Sequence, residues 1–316
     1  MDHLDKAEHF LLSCIRDGLA HSLDTVTNSW VKPYPEVTGY LLSYFSLKTR
    51  LPTQILEAGE KMITIQHPTG GFSSFFNKEV LYTFDTSQIT HGLTSLYIKT
   101  RQKRYLVAAQ RAGNFLLSMQ NADGSFFPYY NWKYRYRHVE RPLKDGANWG
   151  SYFSHIQVKN AEALLLLSKV TKNPSYAQAA LLMIQWGKRH CDSRFTHPFG
   201  YFLEGMSALD QQKYVRNSLQ TFVKPKERNG FIAYQAGLNY AYVSGSVQLG
   251  ILFKNSGMNS EAKRIYQWAT KVQEQHISGG LFQYANRNGT PYTKIHAELP
   301  SWGTKYYLEL ANMFVG

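Results

Sequence analysis

The stretches QHPTGGF at residues 66–72 and QNADGSF at residues 120–126 share one pattern: a glutamine, a short polar run, a glycine and an aromatic residue. The second begins 54 positions after the first, and QEQHISGGLF at residues 273–282 repeats the pattern. A looser copy runs from Gln185 through Gly200 to Tyr201. Each copy follows an apolar helical stretch and precedes another, and a repeat of this size is one supersecondary unit. The pattern predicts helical hairpins joined by long loops.

Apolar residues recur at spacings of three and four along the chain, which predicts twelve helices. The segments are 9–19, 37–47, 55–65, 87–98, 105–119, 156–170, 176–190, 202–209, 214–223, 240–253, 260–274 and 302–314. The first and last lack a sequential partner and can pair with each other if the chain closes into a ring. Six hairpins in a ring form an all-α (α/α)6 toroid, and an open helical solenoid is the alternative. No low-complexity linker interrupts the 316 residues, so one domain over residues 1–316 is expected.

The chain is strongly basic, with a formal net charge of +13 and 22 tyrosines. Such a surface favours an anionic partner, namely nucleic acid, a membrane surface or an acidic polysaccharide. No recognised nucleic-acid motif occurs, and no 18 apolar residues run together, so we expect neither nucleic acid nor an integral membrane segment. The densest basic stretch, residues 133–141, alternates tyrosine with Arg135 and Arg137. It is predicted to bind an anion, and a solvated loop is the alternative.

The N-terminus and the cysteines bear on compartment and cofactors. Acidic residues precede a short apolar run at the N-terminus, which is unlike a signal peptide. Two cysteines, Cys14 and Cys191, do not make a disulfide framework, so a cytoplasmic protein is expected. Neither cysteine has a neighbouring ligand pair for zinc, and no glycine-rich nucleotide-binding loop occurs. The sequence therefore predicts no metal and no cofactor.

Six loops that would lead into inner helices, and so line one mouth of a funnel, have unusual chemistry. Each places aromatic residues beside a carboxylate, a histidine or a tyrosine hydroxyl, a combination that suits sugar rings. The candidate catalytic residues are Glu36, Asp85, His155, Glu204 and Tyr240. The candidate substrate-binding residues are Tyr34, Tyr40, His91, Arg135, Arg137, Trp149, Tyr152, His197, Tyr201, Tyr242, Trp302 and Lys305.

Most of the catalytic candidates also have a purely structural explanation. Asp85 could cap its helix, Glu36 could be a first-turn acid that favours the helix dipole, His155 could be a core histidine, and Tyr240 could be packing. Glu204 is harder to explain in this way, because an unpaired carboxylate in the middle of an apolar helix is costly to bury.

Several phrases of the chain resemble a known family. They are YPEVTGY (34–40), FDTSQITHGLTSLY (84–97), SMQNADGSF (118–126), THPFGYFLEGMSAL (196–209), YVSGSVQLGILF (242–253) and ELPSWGTKYYLEL (298–310). From about residue 30 to the C-terminus they resemble bacterial α/α-toroid proteins encoded in exopolysaccharide and capsule gene clusters. The repeats more distantly resemble squalene cyclases and protein prenyltransferases, and the fold resembles that of glucuronyl 5-epimerases, polysaccharide lyases and six-hairpin glycosidases.

The resemblance implies a role with glycans. It places Glu36, Asp85, His197 and Glu204 at recurring polar positions of the family, although Pro198 and Phe199 stand where a more polar stretch would be expected. A terpenoid-cyclase activity is not supported, because the chain has no acidic D-x-D-D cluster.

The sequence thus predicts a carbohydrate-active enzyme that binds an acidic, uronate-containing polysaccharide in the funnel, and three reactions stay open. A lyase or a uronyl 5-epimerase would remove the proton alpha to a carboxylate, with a tyrosine or histidine base and a cation to neutralise the uronate. A hydrolase would need two carboxylates, which Glu36, Asp85 and Glu204 could supply. The alternatives are a non-catalytic glycan-binding or assembly subunit of a polysaccharide biosynthesis machine and a protein-binding helical scaffold.

Overall fold

The computed structural model describes residues 2–74, 78–138 and 154–315. They belong to two compact units. The first unit comprises residues 15–20 and 33–191, and the second comprises residues 2–14, 21–32 and 192–315, within the described ranges. The single domain expected over residues 1–316 stays a prediction. No helix in the described ranges is long and apolar enough to cross a membrane.

Twelve α-helices occur in the part of the chain that the structure describes. They are α1 (His3–Ser13), α2 (Pro35–Ser46), α3 (Thr53–Ile65), α4 (Thr83–Thr100), α5 (Lys103–Ser118), α6 (Asn160–Thr171), α7 (Pro174–Arg189), α8 (Thr196–Ala208), α9 (Gln212–Ser218), α10 (Val243–Asn255), α11 (Asn259–Gln273) and α12 (Ser301–Val315). A 3-10 helix (Ser154–Lys159) precedes α6, and a π-helical turn (Leu219–Val223) and a 3-10 turn (Lys224–Lys226) follow α9.

Short antiparallel strands occupy the loops. They are β1 (Ile15–Arg16), β2 (Leu19–Ala20), β3 (Leu23–Asp24), β4 (Ser29–Trp30), β5 (Val80–Tyr82), β6 (Tyr129–Asn131), β7 (Tyr136–His138), β8 (Glu227–Arg228), β9 (Phe231–Ile232), β10 (Tyr240–Tyr242), β11 (Tyr284–Asn286) and β12 (Glu298–Leu299). The sheets have the strand orders β1-β2, β12-β3-β4, β5-β6-β7, β8-β9 and β10-β11.

The helices divide into those buried on nearly every face and those buried on one. Eleven of the twelve residues of α2 are buried, against four of the thirteen in α3. In the first unit, the buried helix α4 packs against α2, α5 and α6. In the second unit, α10 packs against α8, α11 and α12. The amphipathic periodicity of α3, α5 and α11 and the continuous apolar character of α2 and α10 follow this division.

The repeated glutamines form a common structural device, here called the glutamine clamp. Gln66 Nε2 donates to the carbonyl oxygens of Gly70 in its own loop and Ala108 in α5, both at 2.9 Å. The other two clamps join Gln120 to Gly124 (3.2 Å) and Ala179 (2.8 Å), and Gln273 to Gly279 (3.2 Å) and His3 (3.1 Å). Each clamp therefore ties a loop to the following outer helix, because one glutamine amide donates to a carbonyl of the loop and to a carbonyl of the helix.

The glycine of the clamp is required by space and by backbone conformation. Gly70 has φ +96°, and a Cβ added there would lie 2.1 Å from the carbonyl oxygen of Arg111 in α5. No other residue fits between the loop and the helix at this distance without moving one of them.

The looser fourth copy of the repeat is not a clamp. Gln185 is exposed on α7, and Gly200 lies inside α8 rather than in a turn. A different set of contacts closes a later loop. There Glu227 accepts a hydrogen bond from Gly230 N (2.5 Å) and forms an ion pair with Arg264 (2.7 Å). Glu227 and Arg264 replace the glutamine amide in this loop, so a search for the glutamine pattern placed this copy at the wrong position.

The predicted contact between the first and last helices is present within the second unit. Helix α1 packs against α12, and the ring centroids of His3 in α1 and Tyr307 in α12 are 6.5 Å apart. The helix predicted over residues 9–19 ends earlier, at Ser13, because Asp17 and Gly18 adopt positive φ in a tight turn between β1 and β2. The helix predicted from residue 240 begins at Val243, since residues 240–242 form β10.

Candidate active site

A close crossing of α2 and α4 brings their first turns together in the first unit. A Cβ added at Gly92 would lie 2.4 Å from the carbonyl oxygen of Gly39, and one added at Gly39 would lie 2.6 Å from that of Gln88. Small residues at both positions allow the two backbones to touch. Glu36 lies in the first turn of α2 and Asp85 in the first turn of α4, so this crossing sets the two carboxyl groups near each other.

The environment of these two carboxyl groups favours their protonated forms. Burial raises the pKa of Glu36 well above its ordinary value, and the neighbouring Asp85 raises it further, whereas a hydrogen bond from Tyr40 and the charge of Lys159 oppose the shift. Burial raises the pKa of Asp85 to about 7. Two close carboxyl groups with little water to solvate them cannot both ionise easily, so the pair retains a proton near neutral pH.

Asp85 is not the N-cap of its helix, contrary to the structural explanation considered above. The N-cap of α4 is Tyr82, whose backbone is extended, and Asp85 stands three positions further on, inside the first turn. A carboxylate at this position interacts favourably with the helix dipole. Its raised pKa shows that burial outweighs that effect.

Lys159 is a functional candidate that the sequence analysis missed. Its side chain is buried at the end of the 3-10 helix, 2.9 Å from Glu162, with the ammonium group 6.0 Å from the centre of the Tyr40 ring. Its charge favours ionisation of Glu36. His155 lies on the same 3-10 helix and is also buried, which fits the core role considered for it.

A second group of candidates converges within the second unit. His197 Nδ1 lies 2.5 Å from Gln248 Oε1, and Gln248 Nε2 donates to Glu204 Oε2 at 3.0 Å. The imidazole stacks on the ring of Tyr242, with centroids 4.4 Å apart, and lies 4.6 Å from that of Tyr201. The structure thus joins three predicted site residues of α8, His197, Tyr201 and Glu204, to a glutamine of α10 that the sequence analysis did not select.

Tyrosines continue this group along β10 and β11. Tyr240 stacks on Tyr292 at 4.8 Å and meets Tyr284 edge-on, and all three are half-buried. The hydroxyl of Tyr242 accepts a hydrogen bond from Gln283 at 3.2 Å. Burial raises the pKa of Tyr242, so this hydroxyl stays protonated and serves as a hydrogen-bonding group rather than as a base.

The two candidates on α12 have different surroundings. Lys305 is buried, pairs with Glu309 at 2.8 Å and lies 4.1 Å from the centre of the Tyr306 ring. The role of Lys305 in substrate binding stays a prediction. Trp302 is half-buried and hydrogen-bonds to Tyr242, which connects it to the group around His197.

The remaining candidates are distributed over the first unit. Tyr34 is the half-buried N-cap residue of α2, and His91 is half-buried two turns into α4. Arg135 and Arg137 are exposed and line a cavity of about 610 Å³ together with Tyr130 of β6. Trp149 and Tyr152, like Arg141 of the basic stretch, lie outside the described residues.

The guanidinium groups of Arg135 and Arg137 are suited to binding an anion. No carboxylate among the described residues pairs with either guanidinium group, and that of Arg137 lies 5.7 Å from the centre of the Phe127 ring. Arg137 is paired in register with Tyr130 across β6 and β7. A planar cation beside aromatic rings and polar groups is the arrangement with which proteins bind carboxylates.

No known protein-family profile matches the chain, and no curated protein matches it in sequence. Solved structures do match. Cellobiose 2-epimerase from Spirochaeta thermophila aligns with 98% of this chain and 94% of its own, at a TM-score of 0.74 and 14% identity. Cellobiose 2-epimerase from Bacillus thermoamylovorans aligns over 98% of each chain, with a TM-score of 0.71 and 13% identity. An unsaturated glucuronyl hydrolase specific for heparin aligns with 99% of this chain and 96% of its own, with a TM-score of 0.68 and 12% identity.

Likeness at such low identity establishes the fold. The chain has the all-α (α/α)6 toroid fold predicted from its sequence, over nearly its whole length. The expected distant similarity to toroid epimerases and glycoside hydrolases is confirmed at the level of structure.

Proposed function

We propose that this protein is a carbohydrate-active enzyme that hydrolyses a glycosidic bond in an acidic saccharide, with Glu36 and Asp85 as its acid–base pair. The observation that carries the proposal is the half-buried pair itself, which the crossing of α2 and α4 brings together and whose environment raises both pKa values. Glycoside hydrolysis needs one carboxylic acid to protonate the leaving oxygen and one carboxylate to act as base or nucleophile. Two carboxyl groups whose environment raises their pKa values supply both forms at the same pH.

The substrate class follows from the charge of the chain, its aromatic surfaces and the structural relatives. The relatives include two cellobiose 2-epimerases, a heparin-specific unsaturated glucuronyl hydrolase and a D-mannose isomerase, all of which act on sugars. The net charge of +13 and the exposed guanidinium groups of Arg135 and Arg137 support an acidic saccharide. Half-buried tyrosines such as Tyr240 and Tyr292 offer rings on which a sugar can stack.

Uronyl 5-epimerisation or elimination is a second candidate, favoured by His197. Both reactions begin when a base removes the proton alpha to a carboxylate. His197 is held by a hydrogen bond at Nδ1 and by a stacked ring, as an oriented base would be. The raised pKa of Tyr242 makes a tyrosinate base at that position unfavourable.

One incubation distinguishes these reactions. The purified protein is mixed with a panel of uronate-containing oligosaccharides in deuterated water, and reducing ends, absorbance of unsaturated products and deuterium incorporation are measured together. Hydrolysis predicts reducing ends without unsaturation, elimination predicts both, and epimerisation predicts deuterium without cleavage. Binding without any of the three would instead identify a non-catalytic glycan-binding subunit.

Variants then test the carboxyl pair. Glu36→Gln and Asp85→Asn should each lower the hydrolysis rate by about 10²-fold or more, the range expected on loss of a general acid or base. Asp123→Asn is the matched control, because Asp123 is exposed and accepts only from Ser125, which an asparagine oxygen can also do. Full activity in both pair variants would contradict the assignment.

The exopolysaccharide or capsule setting and the cytoplasmic location stay predictions. The first is supported by the sequence resemblance.

A further inference from the structure

We infer that Glu204 and Gln248 form a positioning relay that fixes the tautomer of His197, so that His197 rather than Glu204 is the group that exchanges protons in this part of the molecule. The relay itself follows from geometry, whereas its use in catalysis rests on the second proposed reaction, epimerisation or elimination with His197 as the base. It reverses the roles expected from the sequence, in which Glu204 was a catalytic candidate and His197 a substrate-binding one.

The three side chains form a continuous buried chain. Gln248 has no exposed surface, and His197 and Glu204 are 3% and 9% exposed. The amide of Gln248 uses both ends, since Oε1 contacts His197 and Nε2 donates to Glu204. Burying a glutamine inside an apolar helix is costly unless both ends are bonded, and here they are bonded to two potentially functional side chains.

The donor and acceptor inventory sets the direction of the chain. A carboxylate only accepts hydrogen bonds, so the amide must turn its Nε2 towards Glu204. Its oxygen then faces His197, and an oxygen only accepts, so Nδ1 of His197 must carry the proton. In a neutral ring the lone pair consequently resides on Nε2. Free imidazole side chains in water prefer the opposite tautomer, so the relay selects a form that solvent would not.

An amide in the middle of the relay has a different effect from a carboxylate. A carboxylate bonded directly to Nδ1 would stabilise the charged imidazolium, because an opposite charge close by favours the ionised form. Gln248 orients the ring but carries no charge, and it keeps the negative charge of Glu204 one residue further away. The arrangement therefore suits a histidine that must be neutral before it accepts a proton.

The surrounding backbone fixes the ring as firmly as the relay does. A Cβ added at Gly245 would lie 2.7 Å from the Cβ of His197, so α8 and α10 touch at this point. The ring is also stacked on Tyr242. A single orientation of the imidazole is what a predetermined tautomer requires.

Nitrogen-15 NMR of the full chain labelled at histidine tests the relay without a substrate. The His197 resonances are identified as those lost in His197→Gln. At pH 7.5 they should show a neutral ring with Nδ1 protonated. Gln248→Leu should shift the ring towards the Nε2-protonated form, whereas Glu204→Gln should keep the wild-type pattern because its amide oxygen can still accept. Glu204→Leu frees the amide to turn and should also change the pattern.

The outcomes separate the relay from the function. An Nε2-protonated or fully charged His197 in the wild type overturns the inference, as does an unchanged tautomer in Gln248→Leu or in Glu204→Leu. If Gln248→Leu does not fold, the wild type and the two Glu204 variants decide. Once a substrate is known, Gln248→Leu should lower kcat by about 10- to 100-fold with little change in KM. A correct tautomer with no turnover of any saccharide would retain the relay and refute the proposed function.

Discussion

Replacement of Asp85 by asparagine should stabilise the protein at alkaline pH and leave its stability unchanged in acid. Partial burial of Asp85 raises its pKa from 3.8 to about 7, so the folded protein binds the proton more tightly than the unfolded chain. A raised folded-state pKa means that stability falls as the pH rises from about 4 to about 7 and stays low above it. At 1.36 kcal/mol for each tenfold change in proton affinity, ionised Asp85 costs the folded protein up to about 4 kcal/mol at pH 8.

Urea unfolding of the wild type and Asp85→Asn at pH 3.5, 5.5 and 8 measures this difference. The free energy of unfolding of Asp85→Asn should equal that of the wild type at pH 3.5, where the carboxyl is protonated in both states. It should exceed the wild-type value progressively at pH 5.5 and 8. Asp123→Asn should show no such gain, because exposed Asp123 has a pKa lowered by its bonds to Ser125. Equal or lower stability of Asp85→Asn at pH 8 would refute the reasoning.

Three further outcomes are expected. Gln66→Leu should lower the free energy of unfolding by about 2–3 kcal/mol in urea titrations, because both hydrogen bonds that tie the loop to α5 are lost, whereas Gln185→Leu, outside any clamp, should change it by less than about 0.5 kcal/mol. Gly245→Ala should cost about 1–3 kcal/mol and disturb the NMR signals of the adjoining imidazole, and unchanged signals would contradict the close packing. Joint replacement of Arg135 and Arg137 by alanine should weaken binding of acidic but not neutral oligosaccharides in calorimetry, with a loss that shrinks as salt rises, and an equal loss for both ligands would indicate a folding role instead.

The fold could be predicted from the sequence because its two main signals are local. Apolar residues spaced by three and four identify the helices, and the glutamine and glycine of the clamp recur with little change at residues 66–70 and 120–124. The prediction failed where a different residue performs the same task. Glu227 with Arg264 replaces the glutamine amide, and no sequence pattern of glutamines could reveal that substitution.

The site was harder to predict, because its key features depend on pairs of residues far apart in the chain. Glu36 and Asp85 were selected from their positions at helix starts, but the effect of Asp85 on the pKa of Glu36 depends on the crossing at Gly39 and Gly92. Gln248 was not selected, since a single glutamine in an apolar helix has no periodic signature. Its polar character inside the stretch YVSGSVQLGILF was the only available signal.

The hydrogen bonds of the clamps lie on the outer helices, whereas the candidate site residues lie on the buried inner helices. The clamps attach the loops to the outer helices α5, α7 and α1 through backbone carbonyls, so they hold the fold without using the side chains of the inner helices. Inner helices such as α4 can then carry polar groups that oppose stability, among them the half-buried Asp85, whose ionised form is destabilising. Sites of this kind commonly reduce stability in return for function. Because the clamps stabilise the outer helices, the fold can tolerate destabilising polar groups on the inner helices.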